Sequence, residues 1–148
     1  MDNVHMQLAC WERDRLNIEA IRFAVYMVER CDPSGLACDR EDSRCRHVLA
    51  SEGDGRFIGT GRLECDGRIS RIVVLPEYRQ QRLGNEILRY LAELARELDL
   101  PSVCVDADPR HLPFLQSLGF VETGAAPSRR GSPRYAMRLN LGDQAPKS

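Results

Sequence analysis

Residues 72–88, IVVLPEYRQQRLGNEIL, constrain this chain more than any other stretch. A β-branched run stops at Pro76, a short polar loop follows, and an amphipathic helix opens at about Leu83. A strand that passes through a loop into a helix directs the helix's first N–H groups, and the positive end of its dipole, at one spot. Such a junction suits phosphate or pyrophosphate. Arg79 and Arg82 add full charge beside those amides.

The other segments alternate in type. Val4 to Cys10 reads as a first strand. Leu16, Ala20, Ile21, Ala24, Val25 and Val28 recur at helical spacing and predict a helix from Asp14 to Val28. Residues 31–46 are polar, contain Pro33 and Gly35, and read as loop. His47 to Ser51 and Phe57 to Glu64 are strands around the turn Gly53-Asp54-Gly55. Cys65-Asp66-Gly67 turns into a third strand, Arg68 to Leu75, completing an antiparallel meander.

Leu83, Ile87, Leu88, Leu91, Leu94, Ala95 and Leu98 form one apolar stripe, with Glu86–Arg89 and Glu93–Arg96 as i,i+3 pairs on the wet side. Val103 to Ala107 is a short buried strand, so strand, helix and strand imply a right-handed parallel crossover. Asp108 and Pro109 read as N-cap and N1 of a helix that ends at Leu118, with Gly119 as its C′ residue. Phe120 to Glu122 and Arg134 to Asn140 are the last strands, and TGAAPSRRGSP between them reads as a long flexible loop. The expectation is one mixed α/β domain over residues 1–148, ordered over 4–141 with a flexible tail. It has a central twisted sheet of about seven strands, an antiparallel N-terminal meander, one parallel crossover and about four helices.

Composition narrows the function. With 21 basic and 22 acidic residues the net charge is −1, which argues against a dedicated nucleic-acid binder. The first residues, MDNVHMQLAC, lack the pattern of a signal peptide, and no run approaches the roughly 18 apolar residues of a membrane span. A cytoplasmic protein with reduced thiols is the expectation. Cys31, Cys38 and Cys45 recur every seventh residue with His47 close behind, but no CxxC pair accompanies them, so no metal is expected.

The order of elements and the loop together resemble the GCN5-related N-acetyltransferase (GNAT) family, and its ElaA-like branch in particular. The family's acyl-CoA signature, Arg/Gln-x-x-Gly-x-Gly/Ala after a strand, is matched by Arg79-Gln80-Gln81-Arg82-Leu83-Gly84. Phe114-Leu115-Gln116-Ser117-Leu118-Gly119-Phe120 is similar to a second family landmark. Arg22, Val25, Glu29, Asp39, Asp42, His47, Gly59, Arg62 and Leu63 fall at spacings that resemble the branch.

The resemblance implies a GNAT fold and an N-acetyltransferase that binds acetyl-CoA at a splayed pair of parallel strands. The backbone of Val73 and Val74 would hold the pantetheine arm, with Phe114 alongside. Arg79, Gln80, Gln81, Arg82, Leu83, Gly84 and Asn85 would hold the pyrophosphate. Glu29, Asp39 and Asp42 fall where the fold builds its acceptor wall and would attract a cationic amine, small-molecule or protein. The resemblance also admits a homodimer.

Three departures bear on mechanism. The family's first glycine is Arg82. An arginine fits there if its φ is negative, and either contacts phosphate or is solvated at the helix start. The tyrosine that often protonates the leaving thiolate is Leu115, which leaves Tyr135 as the spare acid. The strand before the loop carries no carboxylate, so Glu64, Asp106 and Asp108 are the candidate bases, with Asp108 favoured as a helix cap. Two other readings share these residues: a CoA-binding sensor without turnover, and an acyl-homoserine-lactone-synthase-like enzyme, for which the chain is short.

Overall fold

The computed structural model describes residues 4–29, 42–129 and 131–142. The described strands are β1 (His5–Ala9), β2 (Arg46–Ser51), β3 (Phe57–Leu63), β4 (Ile69–Val74), β5 (Ser102–Ala107), β6 (Val121–Arg129) and β7 (Ser132–Asn140). Three α-helices are described: α1 (Trp11–Phe23), α2 (Leu83–Glu97) and α3 (Leu112–Ser117). A π-helical turn, Ala24–Glu29, extends α1, and a 3-10 turn, Pro76–Gln81, links β4 to α2.

The strands divide into two antiparallel sheets, β1-β2-β3-β4 and β5-β7-β6. One parallel bridge, Arg68 with Cys104, joins them, with the Cys104 N–H donating to the Gly67 carbonyl at 3.0 Å. Past that bridge β4 and β5 run on in the same direction without pairing. The expected crossover is therefore present, while the expected single sheet is split where it occurs.

Helix α2 packs on the first sheet because β3 offers glycine at Gly59 and Gly61. A Cβ on Gly61 would lie 2.7 Å from Ile87 Cγ2 and 3.0 Å from Leu91 Cδ1. Leu83, Ile87, Leu91 and Ala95 are fully buried on that contact, as the stripe predicts. Helix α1 departs from expectation. It starts at Trp11, where the Cys10 N–H donates to Asp14 Oδ2 at 2.9 Å, so Asp14 closes the helix start from within. Its buried face is Trp11, Asp14, Ile18, Ile21 and Arg22, while Leu16 and Val28 are 74% and 70% exposed.

The segment read as a flexible loop is instead the body of the β6–β7 hairpin, with Ala126 opposite Arg134 and Arg129 opposite Ser132. Main-chain ladders accept small residues without a side-chain pattern, and Gly131, with φ of 81°, serves the reversal. The helix expected from Asp108 to Leu118 is a 3-10 turn, Pro109–His111, followed by the short α3. Gly119 has φ of 102°, as a C′ glycine should.

Candidate functional site

The opening between β4 and β5 begins just past a bulge. Thr60 pairs with Val73 and Arg62 with Ser70, so Arg71 and Ile72 together face Gly61, and Arg71 takes φ of 57°. Beyond the bulge the Leu75 N–H donates to the Ile58 carbonyl at 3.0 Å. Alternation then puts the Val73 amide on the β3 side and the Val74 amide on the side of the opening. Of the two residues expected to hold an extended ligand, Val74 alone presents its N–H there.

The loop that follows is tied back to the strand. Arg79 donates from Nε and Nη2 to the Val74 carbonyl at 3.1 and 3.0 Å. It therefore fixes the loop to the end of β4. Gln80 and Gln81 close the 3-10 turn, and Arg82 is the boundary residue between that turn and α2.

Arg82 has φ of 61° and ψ of 30°, the left-handed conformation, which overturns the expectation of a negative φ. The glycine geometry of the signature persists here with an arginine in it, at a cost of roughly 1–2 kcal/mol. Arg82→Gly is expected to raise the unfolding free energy by about 0.5–1 kcal/mol, the relieved penalty less glycine's extra unfolded entropy. Urea unfolding at pH 7 reads this, and a lowered midpoint contradicts it.

The start of α2 is suited to an anion. Among the described residues no side chain caps it. The Asn85 and Glu86 N–H groups turn back to the Arg82 carbonyl at 3.1 and 3.3 Å, leaving those of Leu83 and Gly84 as the helix's first donors. Gly84 is demanded neither by backbone nor by packing: its φ is not positive, and an added Cβ would meet protein atoms only at 3.8 Å and beyond. Space kept open beside two uncapped amides fits a diphosphate approaching the main chain. Across the opening, Arg89 of α2 stands over the Phe114 ring of α3 at 5.7 Å, rather than serving the expected pair with Glu86. Glu93 and Arg96 do pair, at 3.6 Å.

The candidate bases separate cleanly. Along β5, Val103, Val105 and Ala107 are buried on the helix side, while Ser102, Cys104 and Asp106 are half-buried on the other face. Asp106 Oδ2 accepts from Arg68 Nη1 at 3.2 Å. Glu64 Oε2 accepts from Arg62 Nη2 and Ser70 Oγ, both at 2.9 Å. Tyr135 pairs with Ala107, which places it on the helix side, opposite Asp106. Asp108 occupies an N-cap position but makes no side-chain cap bond. Burial works against its ionisation, yet Arg110 and His111 outweigh that and hold its carboxyl below the usual range. Leu115, at the family's tyrosine position, is buried in the core.

The expected acidic wall is corrected at Asp42. This residue is fully buried, with Oδ2 and Oδ1 accepting from Arg22 Nη1 and Nη2 at 3.1 Å each and Oδ1 from Arg62 Nη1 at 3.0 Å. Burial disfavours its charge, but the two guanidinium groups prevail and keep its pKa low. His47 is equally buried, stacks on Trp11 with centroids 5.0 Å apart, and donates from Nε2 to the Asp42 carbonyl at 2.8 Å. Burial holds the imidazole neutral, with its pKa lowered. Asp42 is thus a brace between α1 and β3. Glu29 ends the π-helical turn. Asp39, Cys31 and Cys38 lie outside the described residues. Among the described residues no group of three or more His, Cys, Asp or Glu is placed to hold a metal ion.

Arg68, Ser70, Arg134 and Arg138 share the face that carries Asp106, and sequence patterning did not single them out. Only strand register brings them together, although an arginine-rich terminal strand was a usable signal.

The same fold recurs in known proteins. The family model described as an acetyltransferase (GNAT) domain matches residues 18–141. Similar solved structures include a candidate N-acetyltransferase from Lactobacillus plantarum (TM-score 0.78, 21% identity, covering 95% of this chain and 99% of that one). Escherichia coli ElaA gives a TM-score of 0.76 at 19% identity, covering 92% and 99%. At such identities the likeness is one of fold. A glucosamine 6-phosphate N-acetyltransferase from Trypanosoma brucei brucei is 30% identical over 83 residues, 49% of this chain, and the chain spans 56% of that relative's length.

Proposed function

The chain belongs to the GNAT acetyltransferase family, and on that premise we propose that it transfers an acetyl group from acetyl-CoA to a primary amine by direct attack. The observation that supports this most is the coincidence, at one opening, of the Val74 amide, the uncapped start of α2 and the parting of β4 from β5.

In this reading the Leu83 and Gly84 amides hold the diphosphate, and Arg79 and Arg82 lend positive charge beside them. The pantetheine arm lies along β4, and bound acetyl-CoA supplies an acyl carbon activated by its thioester. The Val74 N–H donates to the carbonyl oxygen as negative charge develops on it. The amine lone pair forms the new C–N bond, Asp106 takes the amine proton, and the C–S bond breaks to release CoA thiolate. A thiol with an ordinary pKa near ~8.5 is a fair leaving group without a dedicated acid. Asp106 suits the base role because Arg68 fixes its carboxylate on the open face of β5. Positioning of two substrates carries most of the rate, roughly 7–11 kcal/mol.

Asp106→Asn is expected to lower kcat about 100-fold or more while leaving CoA affinity within twofold. Calorimetry with CoA and a thiol-release assay over an amine panel read the two quantities. A variant that retains full kcat moves the base role to Glu64. A second reading, a CoA-binding sensor, draws on buried Leu115 and on Tyr135 facing away from Asp106. It predicts CoA binding with no turnover of any amine. The reading sets the protein in the reducing cytoplasm, where the described cysteines, all free, stay thiols. No described helix is long and apolar enough to cross a membrane.

A further inference from the structure

Resting on the acetyltransferase reading, we infer that the acceptor amine carries its own anionic group, a carboxylate or a phosphate, which seats on Arg138 and Arg134 of β7 with its amine directed at Asp106. Two strands bring guanidinium groups to one patch about Asp106 of β5. Arg68 at the head of β4 binds the Asp106 carboxylate at 3.2 Å, and Arg134 Nη2 donates to the Asp106 carbonyl at 2.9 Å. Arg138 pairs across the ladder with Cys104, two residues from Asp106 and on the same face.

The charges on this face do not balance in favour of a cation. Glu64 is held by Arg62 and Ser70, Asp106 by Arg68, and Asp66 Oδ1 accepts from the Arg68 N–H at 3.0 Å. Asp42, the expected attractor of a cationic acceptor, is sealed between Arg22 and Arg62. Arg138 is exposed and makes no hydrogen bond or ion pair among the described residues. Among the described residues, a cationic acceptor would meet guanidinium groups at the mouth, with Glu64 and Asp106 already ion-paired. An acceptor with an anion finds planar donors, since guanidinium groups pair carboxylate and phosphate oxygens in forked geometry. Holding that end leaves the amine free to reach the one carboxylate at the floor, which is the arrangement direct attack requires.

The test compares amines that differ only in the distal group: ethanolamine as the neutral member, β-alanine as the carboxylate, O-phosphoethanolamine as the phosphate and putrescine as the cation. Turnover with acetyl-CoA is expected to be at least about tenfold higher in kcat/KM for one of the anionic members. The carboxylate and phosphate arms then say which anion is preferred. Arg138→Glu, an exposed position, is expected to raise the KM for that substrate about tenfold or more, with CoA affinity by calorimetry unchanged. Binding of the same four amines to the CoA-loaded protein is measured in parallel, so a poorly reactive amine still reports on the patch. Preference for ethanolamine or putrescine, an unmoved KM in Arg138→Glu, or no binding of either anion above the ethanolamine control overturns the inference while CoA binding stands. Failure of CoA itself to bind removes the reading beneath it.

Discussion

Asp42→Asn is expected to destabilise the protein by about 3–5 kcal/mol at pH 7, the cost of stranding buried guanidinium groups when their shared carboxylate is neutralised. Arg22 and Asp42 have side chains only 5% and 1% exposed, so solvent screening gives no relief. Arg62 retains Glu64 at 2.9 Å, but Arg22 has no second carboxylate among its hydrogen bonds, and its buried Nε already lacks a partner among the described residues. A domain of this size has ~5–15 kcal/mol in total, so the variant keeps a small margin and its midpoint falls by roughly 6–20 °C.

The pH dependence follows from the direction of the shift. A carboxyl whose folded pKa lies below its unfolded value contributes stability that is present above the unfolded pKa, near ~4, and is lost as pH falls through the folded value. His47, also lowered on folding, adds stability above its unfolded pKa near ~6.5 that declines below it in both proteins. The gap between wild type and Asp42→Asn should therefore be full at pH 7 and close in strong acid. Urea unfolding from pH 7 to pH 3 measures it. A difference under about 1 kcal/mol at neutral pH, or one that widens in acid, would show that the brace contributes nothing.

Gly67→Ala is expected to cost on the order of 3 kcal/mol and to lower kcat/KM further, by about 100-fold. Gly67 has φ of 96°, and a Cβ there would sit 2.2 Å from the Ser102 carbonyl oxygen. That oxygen belongs to the first residue of β5, and the Gly67 carbonyl accepts from Cys104, so the substituted atom would push at the closed end of the opening itself.

Gly55 supplies the control. Its φ of 94° is nearly the same, and a Cβ there would meet nothing within 4 Å. Gly55→Ala should cost only the backbone penalty, about 1 kcal/mol, with kcat/KM intact. The difference between the two variants isolates the steric term at the join of the sheets. Equal unfolding free energies for the two would mean that β5 yields without resistance, and equal turnover would mean that the join does not set the width of the opening.

Some of this architecture is legible in local chemistry. The stripe of α2 is legible as far as Ala95 because one helix face meets one sheet and a single period describes it, with Leu83, Ile87 and Leu91 wholly buried, while Leu98, past the helix end, is exposed. The loop from Arg79 to Asn85 is legible because strand, basic loop and helix are consecutive, so its place between β4 and α2 needs no distant partner. Helix α1 is misread because its buried face includes Asp14 and Arg22, whose burial depends on other groups. For Arg22 that group lies 20 residues away, which periodicity cannot register. The β6–β7 hairpin is hidden for a related reason: its ladder is main chain, and main chain leaves no residue pattern.

Composition and spacing alone determined the class of the molecule, the crossover, and the loop with its basic residues. Tertiary structure decided what each charge is for. It set Arg79 on a carbonyl, closed Asp42 inside a brace, held Arg82 in a left-handed turn, and gathered Arg68, Arg134 and Arg138 about Asp106. Side-chain periodicity records where apolar groups must face, since burial rewards every turn alike. A charge is assigned its role only by the one opposite group that meets it in space, and that meeting is a property of strand register.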